Sequence, residues 1–90
     1  MTDAVHLMKC LSNREMALLR AVAAGRAQMS HSCEPDLFID GMASCDQSAA
    51  RHLAHAGLIE PVVPAAVGTF TRARLTLLGA SVLAHESKPA

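Results

Sequence analysis

Two stretches of this chain are fenced at both ends by the same device, and that fixes where its helices start and stop. Ser12 with Glu15, and Ser44 with Gln47, are capping-box pairs, and the apolar run after each ends at a glycine, Gly25 and Gly57. The serine hydroxyl accepts from the backbone N–H three residues on, the longer side chain returns the bond, and glycine takes the left-handed conformation that closes the last turn. Leu11 and Met16 flank the first box as a hydrophobic staple. Met16, Leu19, Val22 and Ala23 then recur at helical spacing, with Leu18 widening the stripe and Arg14 and Arg20 on the wet side. In the second helix Asp46 sits in the first turn, where the helix dipole favours an anion. Ala49, Ala50, Leu53 and Ala56 share one arc, and Gln47, Ser48, Arg51, His52 and His55 share the other.

After Gly57 the pattern changes to extended chain. Leu58, Ile59, Val62 and Val63, interrupted by Pro61 and Pro64, form an edge strand, because proline has no N–H for a ladder. Residues 65–69 make the turn around Gly68. Phe70, Arg72 and Arg74 alternate with Thr71, Ala73 and Leu75 in a second strand that closes a hairpin. Thr76 caps a last helix whose Leu77, Leu78, Val82 and Leu83 return to the core, and residues 86–90 fray. Gly79 inside that helix costs about 1 kcal/mol relative to alanine, which close packing against a neighbour would justify. Between the two capped helices, Glu34-Pro35-Asp36 and Asp40-Gly41 are turn signals. They leave 27–32 and 37–39 as short strands, with a short helix over 35–39, opened by Pro35, as the competing solution.

Ninety residues bury only about 60 to 65% of their unfolded surface, enough for one domain, here 11–85 after an N-terminal extension 1–10. No apolar run approaches the roughly 20 residues that cross a bilayer, and no secretion leader opens the chain, so a soluble, cytoplasmic protein with no membrane contact is expected. Three cysteines form an odd set without a disulfide framework. His31, Cys33 and Cys45, with Cys10 or His6 as a distant fourth, are acceptable zinc ligands. They lack any Cys-x-x-Cys or His-x3-His spacing, so no metal and no cofactor is expected.

The segment 49–60, AARHLAHAGLIE, resembles the end of a recognition helix running into the first wing strand of a winged helix-turn-helix domain. The segment 74–83, RLTLLGASVL, is similar to the LTxxGxxxL that follows the wing in MarR-like regulators. The opening segment 11–26 also resembles the first helix of LuxR-type regulators, but the second short helix of that family has no counterpart in 27–33. The winged-helix resemblance implies an α+β fold of about three helices with a C-terminal β-hairpin wing followed by a last helix. It further implies a sequence-specific, DNA-binding transcriptional regulator. Helix 46–56 would enter the major groove of double-stranded DNA with Gln47, Ser48, Arg51, His52 and His55, and wing strand 70–75 would bring Arg72 and Arg74 to the backbone. Two departures stand out. The segment 29–41, where the family has a compact second helix, is rich in turn residues, and 62–69 at the wing tip holds no Lys or Arg.

Charge works against tight DNA binding. Eight Lys plus Arg balance eight Asp plus Glu, and affinity for phosphates comes mostly from excess cations. Glu34, Asp36, Asp40 and Asp46 gather just before the second capped helix, whereas Arg14, Arg20 and Arg26 mark the first. A homodimer would double the available contacts, with 77–83 or 5–8 as its seam. The alternative is a winged-helix protein-protein docking or dimerisation module with little DNA affinity. An enzyme is not expected: Asp36 and Asp40 are turn and cap residues, and no Gly-rich phosphate loop is present. As histidines, His52 and His55 would add positive charge to the helix face in mildly acidic solution.

Overall fold

The computed structural model describes residues 10–44 and 46–87. Among them the chain forms α1 (Asn13–Ala23), β1 (Ala27–Ser30), β2 (Leu37–Ile39), β3 (Met42–Ala43), α2 (Gln47–His55), β4 (Ile59–Pro61), β5 (Phe70–Leu75) and α3 (Leu77–Ser87). The result is a small α+β fold: three helices and one five-stranded antiparallel sheet of order β3-β2-β1-β5-β4. No helix among the described residues is long and apolar enough to cross a membrane.

The first fenced helix forms as its sequence dictates. The Ser12 hydroxyl accepts from the Glu15 N–H at 3.1 Å and the Glu15 carboxylate accepts from the Ser12 N–H at 3.0 Å. Both helices then end alike, with Gly25 and Gly57 at φ of 77° and 78°. The N–H of Gly25 reaches the Val22 carbonyl and that of Arg26 the Ala21 carbonyl; Gly57 and Leu58 repeat this with Ala54 and Leu53. These paired bonds satisfy carbonyls that a helix end otherwise leaves orphaned.

Helix α2 starts differently from the expected Ser44/Gln47 capping box. Asp46 is the N-cap, accepting from the Ala49 N–H at 3.0 Å, and the Ser44 hydroxyl accepts from the Asp46 N–H. The Gln47 side chain is drawn away to β2, which needs it more: its Oε1 accepts from the Leu37 N–H at 2.8 Å and its Nε2 donates to the Leu37 carbonyl at 3.0 Å.

The segment between β1 and α2 is a hairpin, not a short helix over 35–39. Asp40 and Gly41 both take positive φ, 54° and 81°, and join Ile39 to Met42 as a two-residue turn. Strand β1 is shorter than 27–32, and β4 stops at Pro61 with Val62 and Val63 exposed beyond it. Helix α3 continues to Ser87, two residues into the segment 86–90 expected to fray.

Leu19, Leu37, Leu53, Leu58 and Val82 are the largest fully buried side chains, and Leu11 packs at their margin. Leu77, expected in this core, is 91% exposed, because Thr76 starts the helix with that residue turned outward. Gly79 has the reason its position asked for. A Cβ there would lie 2.1 Å from the Leu58 carbonyl oxygen, and Thr76 binds the same corner, its N–H to the Leu58 carbonyl and its hydroxyl to the Gly57 carbonyl.

Candidate nucleic-acid interface

The polar face of α2 is largely engaged within the molecule. Gln47 holds both backbone groups of Leu37 and the Ser44 carbonyl. Arg51 pairs with Asp36 at 2.7 Å while its Nε is buried without a partner. His52 Nδ1 meets the Glu15 carboxylate on α1, and His55 Nε2 reaches the Cys33 carbonyl at 2.8 Å with Glu34 nearby at 3.8 Å. Ser48 is exposed and its hydroxyl has no partner among the described residues. The loop 33–36, rich in acid, therefore lies along the helix that the family resemblance would put in a DNA groove.

Glu15, at the contact between α1 and α2, titrates away from its ordinary value. Burial on its own would raise its pKa, with its side chain only 10% exposed. Hydrogen bonds from the Ser12 N–H, His52 and the Ser12 hydroxyl, with the His52 charge, together outweigh burial and hold the carboxyl below the ordinary glutamate value.

The opposite side of the molecule is arranged differently. Side chains alternate across a sheet, and residues paired in register share a face. Ala27, Met29, Leu37, Ile59 and Ala73 point to the helices and are buried. The register sets Phe38 beside Gln28 and Gln28 beside Arg72 on the other face, with Ser30 opposite Phe70 and Glu60 opposite Arg74. Arg26, two residues before Gln28, continues this alternation and binds Asp40 through Nε at 3.0 Å and Nη2 at 2.5 Å. The apolar core shared with the helices lies on the first side; on the second, among the described residues, Gln28, Phe70, Arg72 and Arg74 are exposed, Phe38 is half-buried and Ser30 is buried.

Both phenylalanines of the chain, its entire complement of aromatic residues, lie on this open face. Their rings meet edge to face across β1, with centroids 4.8 Å apart at 82°, and Phe70 stays 44% exposed. Around them stand Arg26, Arg72 and Arg74. Arg74 is tied to Glu60 at 2.8 Å, and hydrogen bonding from Arg26 holds the Asp40 carboxyl below its usual range. Arg72 is exposed and, among the described residues, has no carboxylate at ion-pair distance. The face thus combines flat π surfaces, an amide and three guanidinium groups against two carboxylates.

Of the residues expected to contact DNA, only Ser48 and Arg72 have side chains without a partner among the described residues, and they lie on different sides of the molecule. Phe38, Phe70, Gln28 and Arg26 were not among those expected. Their signal in the sequence was the alternation Phe70-Arg72-Arg74 and the placing of Phe38 just before an Asp-Gly turn.

A separate groove of about 480 Å³ opens between the end of α2 and the β4–β5 hairpin, lined by His31, Cys33, Ala54, His55 and Val67 among others. His31 Nε2 is bonded to the Thr71 hydroxyl at 2.8 Å. No group of three potential metal ligands occurs among the described residues; Cys45, one of the three candidates, lies outside them. No protein family, curated protein or solved structure matches this chain.

Proposed function

We propose that this chain is a small nucleic-acid-binding domain, and that its contact surface is the open sheet face around Arg72 and not the polar side of α2. The observation that supports this reading is that Arg26, Arg72 and Arg74 share a face of the sheet with both phenylalanines, a face away from the core that the three described helices build. Guanidinium groups offer phosphates a forked set of donors, and aromatic rings offer bases a stacking surface. The order helix, hairpin, helix from α2 to α3 resembles the second half of a winged helix, although strands and not a second helix stand between α1 and α2. In this reading β5 of the hairpin, with Gln28 on β1 and Phe38 on β2 beside it, carries the binding residues in place of α2.

The test separates the two sides of the molecule. Binding of a fluorescein-labelled oligonucleotide is followed by anisotropy in 50 mM salt, for the wild-type domain and for R72E and S48E. R72E should weaken binding about tenfold and make the salt slope shallower by close to one unit, the signature of a lost phosphate contact. S48E should leave binding unchanged. The converse, a loss with S48E and none with R72E, would assign the contact to α2 and overturn the sheet-face reading. No binding of single- or double-stranded probes at this salt would leave the exposed valines of the hairpin, Val62, Val63 and Val67, as the surface to explain, and with them a protein partner.

A further inference from the structure

The sheet face also constrains which form of nucleic acid it can take. We infer that it binds unpaired bases, in single-stranded DNA or RNA, in preference to a duplex; this rests on the sheet-face reading above. Five strands about 4.8 Å apart span roughly 19 Å from edge to edge. The major groove of B-DNA is about 12 Å wide and accepts a helix or a two-stranded ribbon. Phe38, Gln28 and Arg72 lie on the three central strands, β2, β1 and β5, so the edge strands would strike the duplex backbone before these residues reached a base.

An unpaired strand has no such limit. It can lie along β5, whose Phe70 and Arg74 are about 13 Å apart at the usual rise per residue. There one base stacks on the exposed ring of Phe70. Phosphates on either side meet Arg72, and Arg26 or Arg74 as these exchange a carboxylate partner for phosphate. Gln28, exposed beside Arg72, presents an amide that can both donate to and accept from a base edge. The placement of the rings supports the same reading. A chain with two aromatic residues ordinarily gains most by burying them, yet here neither ring belongs to the buried core: Phe70 is 44% exposed and Phe38 half-buried.

Four labelled probes decide the question: a 12-nucleotide single strand of deoxythymidine, its ribouridine equivalent, and mixed-sequence strands single and paired. The single strands should bind at least tenfold more tightly than the duplex at equal salt. F70L, which keeps an apolar side chain but removes the ring, should weaken single-strand binding about 5- to 20-fold and leave duplex binding unchanged. Because the chain has no tryptophan, F70W supplies a single reporter at the proposed stacking position, and its fluorescence should be quenched by the single strand. Equal affinity for both forms, with F70L silent and F70W unquenched while R72E still weakens binding, would overturn the preference for unpaired bases and leave the nucleic-acid reading standing. Loss of all binding would remove both. A deoxyuridine strand, which differs from the ribouridine one only in the 2′-hydroxyl, assigns the sugar.

Discussion

Single residues in this chain carry positions that no neighbour can supply, and Gly79 is the most exacting. Glycine inside a helix normally weakens it, yet here a side chain would be driven into the Leu58 carbonyl. That carbonyl also accepts from the Thr76 N–H, so it cannot retreat without breaking a bond that starts α3. The helix-propensity gain of alanine, about 1 kcal/mol, is therefore outweighed by overpacking, which typically costs about 1 to 3 kcal/mol. G79A should lower the thermal midpoint by several degrees in calorimetry; an increase would show that α3 can shift off the corner freely. Here the sequence was enough, since a glycine between apolar residues at helical spacing has few other uses. Leu77 was not legible in the same way. Its place in the apolar pattern suggested burial, but one residue after a cap the direction of the side chain depends on how the helix leaves the strand, and that is a tertiary property.

At the scale of elements, capped helices and glycine stops were readable because their chemistry is local: donor, acceptor and turn lie within six residues of each other. The Asp40-Gly41 turn was readable for the same reason, but the pairing of Met42 and Ala43 with β2 that makes it a hairpin was not. The start of α2 was not, because Gln47 had two possible partners and the nonlocal one, the backbone of Leu37, won. A buried strand N–H left without an acceptor costs more than an imperfect helix cap, which Asp46 can supply in any case. Between α1 and α2 the link is Glu15 with His52, and it has a pH consequence. The folded carboxyl titrates below its ordinary value of 4.5, so its stabilisation is complete above that value and is lost as pH falls through the lower folded one. E15Q keeps a capping acceptor but loses the charge. It should cost about 1 to 2 kcal/mol at neutral pH, the usual worth of a charge-assisted hydrogen bond, and flatten the decline in stability towards pH 3. Urea midpoints measured from pH 7 to pH 3 give the comparison, and parallel wild-type and E15Q curves would contradict it.

For the molecule as a whole, the neutral formal charge conceals a division between two sides. On the α2 side Arg51 and the two histidines face Asp36, Glu15 and Glu34; on the sheet side Arg72 has no such counterpart among the described residues. Only the register of β1 against β2 and β5 brings Phe38, Gln28 and Arg72 into one row, which is why the sheet face could not be read from spacing along the chain. With two or three phosphates neutralised at about 0.7 slope units each, single-strand affinity should fall only about 5- to 20-fold between 50 and 200 mM salt. A drop beyond a hundredfold in anisotropy titrations would require more cations than this face holds. The borders of the sheet add a last consequence. Strand β3 is two residues long and follows a tight turn, while β4 has three residues and ends on Pro61, which lacks an N–H. Stubby, proline-ended margins are how sheet proteins avoid templating their own aggregation. Margins of this kind give a further strand little purchase at either side, even with Phe70 standing exposed on the face between them.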